Sequence, residues 1–159
     1  MPAQYEPKLE FAFTIKLSLD RRFWIRPTDT GATRAGIYVK DGTFEGPNIR
    51  GIVVPGSGAD WPLVRPNGVI DFDARYMLQE DDGSVIYLQN RGFRWGSKEV
   101  MDAMARNEPV DHADYYFRTS TKFEAPEGKH DWLNRTVIVG GGQRKANPDH
   151  TLFRYYAVV

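Results

Sequence analysis

This sequence predicts an all-β, mainly antiparallel domain: a closed or nearly closed barrel of about eight strands with one short helix. Three observations carry that expectation. Apolar and polar residues alternate with period two through several runs, the spacing of a strand with one buried face. Clusters of Gly, Pro, Asn and Asp punctuate those runs at hairpin intervals. Only one segment has helical spacing, and the strand–helix–strand alternation of a parallel sheet is missing. An open sheet of this many strands would expose aggregation-prone edges, so closure is the economical arrangement.

Leu9, Phe11, Phe13, Ile15 and Leu17 alternate with Glu10, Ala12, Thr14, Lys16 and Ser18, which predicts a strand with the first set on one apolar face. Asp20 to Arg34 holds Arg21, Arg22, Arg26, Pro27 and Gly31 and reads as a loop or ragged strand pair able to act as a lid. Ala35 to Lys40 is expected to be a short strand ending in an Asp41-Gly42 hairpin turn, with the next strand running through Ile49 to Val54. Pro55-Gly56-Ser57-Gly58 ends that strand. Ala59 to Trp61 and Leu63 to Arg65 follow, up to Pro66-Asn67-Gly68. Val69 to Gln79 and Val85 to Phe93 make a hairpin, in which a two-residue Asp82-Gly83 turn sets Arg75 opposite Asn90 and Met77 opposite Leu88. Ser97 to Asn107 is the helix, with Ser97 as N-cap and Val100, Met101 and Met104 as a packing stripe. Strands over Tyr115 to Phe123, Trp132 to Val139 and Thr151 to Val158 complete one domain spanning residues 1–159.

Composition narrows the function. Lys plus Arg and Asp plus Glu are both 21, giving zero formal charge, without the basic footprint of a nucleic-acid binder. Cys is absent, which removes disulfides, thiolate nucleophiles and Cys-based zinc sites. Met1 to Lys8 has no apolar core and reads as no secretion signal. No apolar run is long enough to span a bilayer as a helix. A cytoplasmic location is therefore expected, without membrane or nucleic-acid partners. Aromatics reach 13%, a supply suited to strands and to small-molecule pockets.

Several segments, taken in order, resemble a known family. They are Gly42-Thr43-Phe44-Glu45-Gly46-Pro47, Arg50-Gly51, Ala59-Asp60-Trp61, Asp73-Ala74-Arg75-Tyr76, Asp82-Gly83, Asn90-Arg91-Gly92, Tyr115-Tyr116-Phe117-Arg118-Thr119 and Trp132-Leu133-Asn134-Arg135. The set, from about Leu9 to the C-terminus, is similar to the domain of unknown function 3237 family, also called uncharacterised protein family 0311. The resemblance implies an antiparallel β-barrel and no settled activity. Asp20 to Arg34 and Gly140-Gly141-Gly142 stand out as local departures where a substrate preference could sit.

The polar residues on strands offer candidate chemistry. Asp71, Asp73 and Arg75 share one strand face; Tyr116 and Arg118 share another; Trp132 and Asn134 share a third. Facing inward, they would bind and polarise a carbonyl or carboxylate. Facing outward, they would be solvated or ion-paired, and Ile70, Phe72, Ala74, Tyr76 and Leu78 would be core. Asp60, between a Gly-rich loop and Trp61, is either a base with a raised pKa or a turn residue bonding its own backbone; the family resemblance makes its loop the best bet for the carboxylate. His112, His130 and His150 show no metal-ligand spacing; His130, near a strand start, is either at a barrel mouth or, as expected for a lone His, at the surface. Gly140-Gly141-Gly142 lacks the helix and Lys-Ser/Thr of a phosphate loop, and a flexible hairpin turn is expected.

The resulting expectation is a barrel that binds a hydrophobic, aromatic or polyketide-like carbonyl compound and acts on it as a cofactor-independent lyase, isomerase or cyclase, with no metal. Asp60 is the expected base, Arg75 and Arg118 stabilise an enolate or carboxylate, and Tyr116 donates a proton. Trp61 and Trp132 stack on the substrate; Asn90 and Asn134 orient it. The rival readings are a non-catalytic lipocalin-like carrier and an oligomerising structural module that uses its β edges, so a homo-oligomer is also considered.

Overall fold

The computed structural model describes residues 5–159; residues 1–4, where the stretch read as no secretion signal begins, lie outside them. Ten strand segments form one sheet: β1 (Leu9–Trp24), β2 (Thr33–Glu45), β3 (Arg50–Val53), β4 (Ala59–Asp60), β5 (Leu63–Val64), β6 (Ile70–Glu80), β7 (Val85–Gly96), β8 (Tyr115–Glu124), β9 (Ile138–Lys145) and β10 (His150–Val158). Neighbours pair antiparallel throughout, and β1 pairs with β10 on one side and β2 on the other, so the sheet closes on itself. The short pieces β3, β4 and β5 share one place between β2 and β6. The ring therefore has eight strand positions, as the sequence leads one to expect. One α-helix, α1 (Lys98–Ala105), links β7 to β8, and the Val100 N–H donates to the Ser97 hydroxyl at its start.

The middle of the barrel is filled. Phe13 packs edge-on against Phe44 and Phe123, and Phe117 does the same against Phe72 and Phe153. Leu78, Ile86, Leu88 and Ile138 complete this fully buried core. The core face of β6 is the apolar one, Phe72, Ala74, Tyr76 and Leu78, because burying that face removes the most apolar area from water.

Five local expectations change. First, β1 carries a bulge at Ala12. Phe11 lies opposite Tyr156, but Phe13 lies opposite Tyr155, so the extra residue turns Leu9 and Phe11 to the outside while Phe13, Ile15 and Leu17 stay in the core. Second, Asp41-Gly42 is not a turn, and β2 runs straight through it. Gly42 is needed there because a Cβ would collide with the Lys16 carbonyl oxygen. The chain reverses at residues 46–49, where the Gly46 N–H donates to the Ile49 carbonyl at 2.7 Å.

Third, the β6–β7 turn has three residues. Gln79 faces Val85, and Gly83 adopts φ +92°, a conformation glycine takes without a Cβ penalty. That moves the register by one, so Arg75 lies opposite Gln89, Met77 opposite Tyr87 and Ala74 opposite Asn90. Fourth, Trp132 sits in a 3-10 turn over Asp131–Arg135, not in a strand. Fifth, Gly140-Gly141-Gly142 lies within β9, not in a hairpin turn. The segment Asp20 to Arg34 is a ragged strand pair, with β1 reaching Trp24 and register shifts against β2.

Candidate functional site

Strand register sorts the polar side chains, since residues directly opposed in an antiparallel ladder point to the same side. Asp60 on β4 is opposite Ile37 on β2 and Ala74 on β6. Ala74 belongs to the core, so Asp60 points inward. The row continues through Asn90 on β7 and Thr121 on β8. The loop before Asp60 sets this up. Gly58 lies so close to the Arg75 carbonyl that a Cβ would clash, and the Ser57 hydroxyl accepts from the Met77 N–H at 3.0 Å.

Asp60 keeps part of its residue surface open, but its carboxyl is enclosed by protein. Oδ1 accepts the Asp73 backbone N–H at 3.2 Å. Burial pushes the carboxyl up to about 6, outweighing the stabilisation of the anion by the Asp73 N–H, Arg94 and the Trp61 N–H. This combination belongs to a group that exchanges protons near neutrality.

Arg94 on β7 lies opposite Ile70 and Phe117 and is directed inward, its guanidinium 5.6 Å from the Phe117 ring centroid. Its Nε is buried without a hydrogen-bond partner, and it joins none of the ion pairs among the described residues. Burial lowers its pKa to about 10, with nearby Arg144 pushing the same way and Asp60 opposing. An unpaired buried guanidinium is costly, and an anionic ligand would complete it. Beyond it, Asp149 bridges two further cations, Arg22 at 3.1 Å and Arg144; Arg144 also donates to the Thr151 hydroxyl at 2.6 Å and, through its backbone N–H, to Tyr115 at 2.9 Å.

Deeper lie more uncompensated polar atoms. Asn90 is fully buried, and its Oδ1 accepts from the Thr119 and Thr121 hydroxyls while Nδ2 has no partner. Turning the amide over would exchange the roles and leave the other atom unpaired. Tyr76 and Tyr155, also fully buried, bring their hydroxyls near each other; burial raises both pKa values, and neither oxygen has a hydrogen bond of ordinary geometry.

Of the eight residues singled out in the sequence, Asp60 and Asn90 share this inward row. Arg75 does not: it is exposed on the outer face and pairs with Asp73 at 3.4 Å. Tyr116 and Arg118 also point outward, because β8 turns Tyr115, Phe117, Thr119, Thr121 and Phe123 to the core. The expected inward Tyr–Arg pair is therefore corrected. Tyr116 stacks on Trp95 at 5.4 Å, and Arg118 Nη1 donates to the Phe117 carbonyl at 3.0 Å. Trp61 is 42% exposed and meets Tyr38 edge-on outside the barrel. Trp132 packs against the core from its 3-10 turn. Asn134 closes the β8–β9 loop with two hydrogen bonds to the backbone of Ala125, at 2.7 and 2.9 Å.

His130 is buried, not at the surface, with Nε2 3.9 Å from a Glu80 oxygen. Among the described residues no three His, Asp or Glu side chains gather at metal-binding distance, and no helix is long and apolar enough to cross a membrane. Sequence reasoning passed over Arg94, Tyr76, Thr119 and Thr121. For Arg94 a signal existed: it has the parity of Asn90 along one strand, so an inward Asn90 carries Arg94 inward too.

These features define a class, a closed antiparallel barrel with an aromatic interior that encloses an acid, a guanidinium and an amide. The chain belongs to the family described as protein of unknown function DUF3237, whose model matches residues 7–158. A UPF0311 protein of Rhodopseudomonas palustris is 36% identical over 143 residues, covering 89% of this chain and 92% of that protein. A crystal structure of a β-barrel like protein from Acinetobacter baumannii superposes with a TM-score of 0.84 at 32% identity, covering all of both chains. An enzyme from Penicillium herquei shares the fold, with a TM-score of 0.71 at 21% identity over 96% of this chain and 95% of that one.

Proposed function

We propose that the protein is a cofactor-independent enzyme of acid–base chemistry acting on an enolisable carbonyl compound with a hydrophobic, aromatic body. One observation carries this reading: Asp60, inward-facing and raised to about 6, shares its surroundings with an Arg94 that has no anion of its own. In the proposed step the Asp60 carboxylate takes a proton from the carbon next to the carbonyl. The C–H electron pair becomes the C=C bond of the enolate, the carbonyl π pair moves onto oxygen, and Arg94 N–H groups receive that charge. Protonated Asp60 then returns the proton at another carbon in an isomerisation, or to a departing β-substituent in an elimination. The unpaired amide atom of Asn90 is the further polar contact in the row. Arg94 thus takes the role expected of Arg75 and Arg118. The filled middle of the barrel argues against a carrier that holds its cargo along the axis.

Hydrogen exchange tests it directly. Aromatic 1,3-dicarbonyl and aryl ketone compounds are incubated in D₂O with the protein, and loss of the α-proton signal is followed by NMR. The wild type should accelerate exchange for part of the panel, and Asp60→Asn should abolish the acceleration. Equal rates with wild type, Asp60→Asn and no protein would overturn the reading.

A further inference from the structure

The outer face of β7 to β10 holds a feature the Asp60 site does not use. An open groove of about 1000 Å³ runs over the backbone of Gly140 to Gly142, at the top of the roughly 300–1,000 Å³ range of small-molecule sites. The outer two glycines serve the core, since a side chain at 140 or 142 would press into Tyr155 or Phe117. Gly141 faces outward between them, and with no side chain of its own it leaves room for the Arg118 guanidinium to lie over the floor.

Guanidiniums line this floor from several strands. Arg118 reaches across it, its Nη1 3.3 Å from where a Gly141 Cβ would stand and its Cζ 5.7 Å from the Tyr116 ring centroid. Arg154 approaches from β10, 4.5 Å from the Phe11 ring centroid, and donates to the Tyr156 hydroxyl at 3.1 Å. Arg91 adds a third positive charge. None of the three joins an ion pair among the described residues. Among the described residues the lining holds one carboxylate, Asp71, which is engaged by Arg65 at 3.7 Å.

We propose that this groove is a second binding site, separate from the Asp60 site, for a small amphipathic anion with a flat apolar body and one acidic group. The body lies along the groove between Tyr116 and Tyr156, and the acid is received by Arg118, over Gly141, and by Arg154. Charge argues against a second copy of the chain packed here about a two-fold axis. Such a contact sets the same face against itself, bringing the three guanidiniums together with no free carboxylate to meet them.

The test uses 8-anilinonaphthalene-1-sulfonate, a fluorescent aromatic anion, and its neutral counterpart N-phenyl-1-naphthylamine. Wild-type protein should bind the sulfonate saturably at one site, at least tenfold tighter than the neutral compound, and more weakly as salt rises. Arg118→Gln and Arg154→Gln should each weaken binding about tenfold, while Asp60→Asn should leave it unchanged. Gly141→Leu, whose Cβ would press on the movable end of Arg118 at 3.3 Å and meet the Phe117 carbonyl oxygen at 3.9 Å, an ordinary contact distance, should block binding with the melting temperature preserved. Absent or non-saturable binding, equal affinity for the neutral compound, or indifference to the arginine substitutions would each overturn the proposal. A dimer in light scattering that Gly141→Leu dissociates would overturn it in favour of contact between copies.

Discussion

Asp60 and Asn90 stand in one lateral row of the barrel with only Ala74 between them. A methyl group separates a carboxyl from a buried amide that still lacks one partner. Because the row runs across strands, residues far apart in sequence share one level of the interior, and the chemistry there depends on register.

Asp60→Asn should stabilise the protein while abolishing the proposed α-proton exchange. Folded Asp60 keeps its proton up to about pH 6, whereas an unfolded aspartate releases it near 3.8. The native state therefore binds more protons in that window, and stability falls as pH rises through it, by about 3 kcal/mol over the whole interval, then levels off. Asparagine stays neutral and retains an acceptor for the Asp73 N–H. Melting curves should place Asp60→Asn several degrees above wild type at pH 8, with the gap closing toward pH 4. A variant less stable at pH 8 would show that the carboxylate is better solvated than its surroundings indicate.

Arg94→Met should separate binding from folding in the same way. Methionine fills much of the volume and removes a buried charge that lacks an ion-pair partner. Urea unfolding should show stability unchanged or higher, while α-proton exchange falls at least a hundredfold. Loss of stability with full exchange activity would assign Arg94 to the architecture alone.

Arg75→Met should do almost nothing. Its pairing with Asp73 is solvent-exposed, and such pairs contribute about 0–1 kcal/mol. The expected change is within about 0.5 kcal/mol, with exchange activity retained; a clear drop in activity would return this outer face to the site.

At the level of Glu80 the barrel is held by charge. Glu80 is 7% exposed and meets Lys129 Nζ at 3.1 Å, and Lys129 also reaches Asp82 at 3.1 Å. The Ser84 N–H and hydroxyl, together with Lys129, hold the Asp82 carboxyl well below its usual range. Lys129→Met leaves the buried Glu80 carboxylate with the Asp82 N–H as its donor and no facing lysine, and should lower the melting temperature. Adding Glu80→Gln should restore part of the loss. Additive losses in the double variant would mean the two groups are not coupled.

The barrel was legible in the sequence because period-two alternation and turn residues act locally. The site was legible only in part, because facing is decided by register and by bulges. Ala12 reverses the side on which Leu9 and Phe11 lie, and one additional turn residue before Ser84 moves Asn90 from Arg75 to Ala74. On β8 the polarity of Tyr116 and Arg118 invited a functional reading, yet Phe117 and Phe123 have more area to remove from water and took the core. Gly42, Gly140 and Gly142 have the composition of turns but lie where strands crowd a carbonyl or a ring, a constraint that arises only once the barrel has closed.

The ladder that closes the ring also brings Lys8 and Val159 side by side, each donating its N–H to the other's carbonyl at 2.8 and 2.9 Å. A short peptide linker joining residue 159 to residue 8 therefore crosses almost no distance. The backbone can then be opened at Asp82-Gly83, giving a circular permutant whose new ends lie in an exposed turn. Every strand keeps its neighbours in that chain. What changes is the order of synthesis: β7 emerges first and β6 last, so the barrel is sealed by the β6–β7 seam instead of the β1–β10 seam.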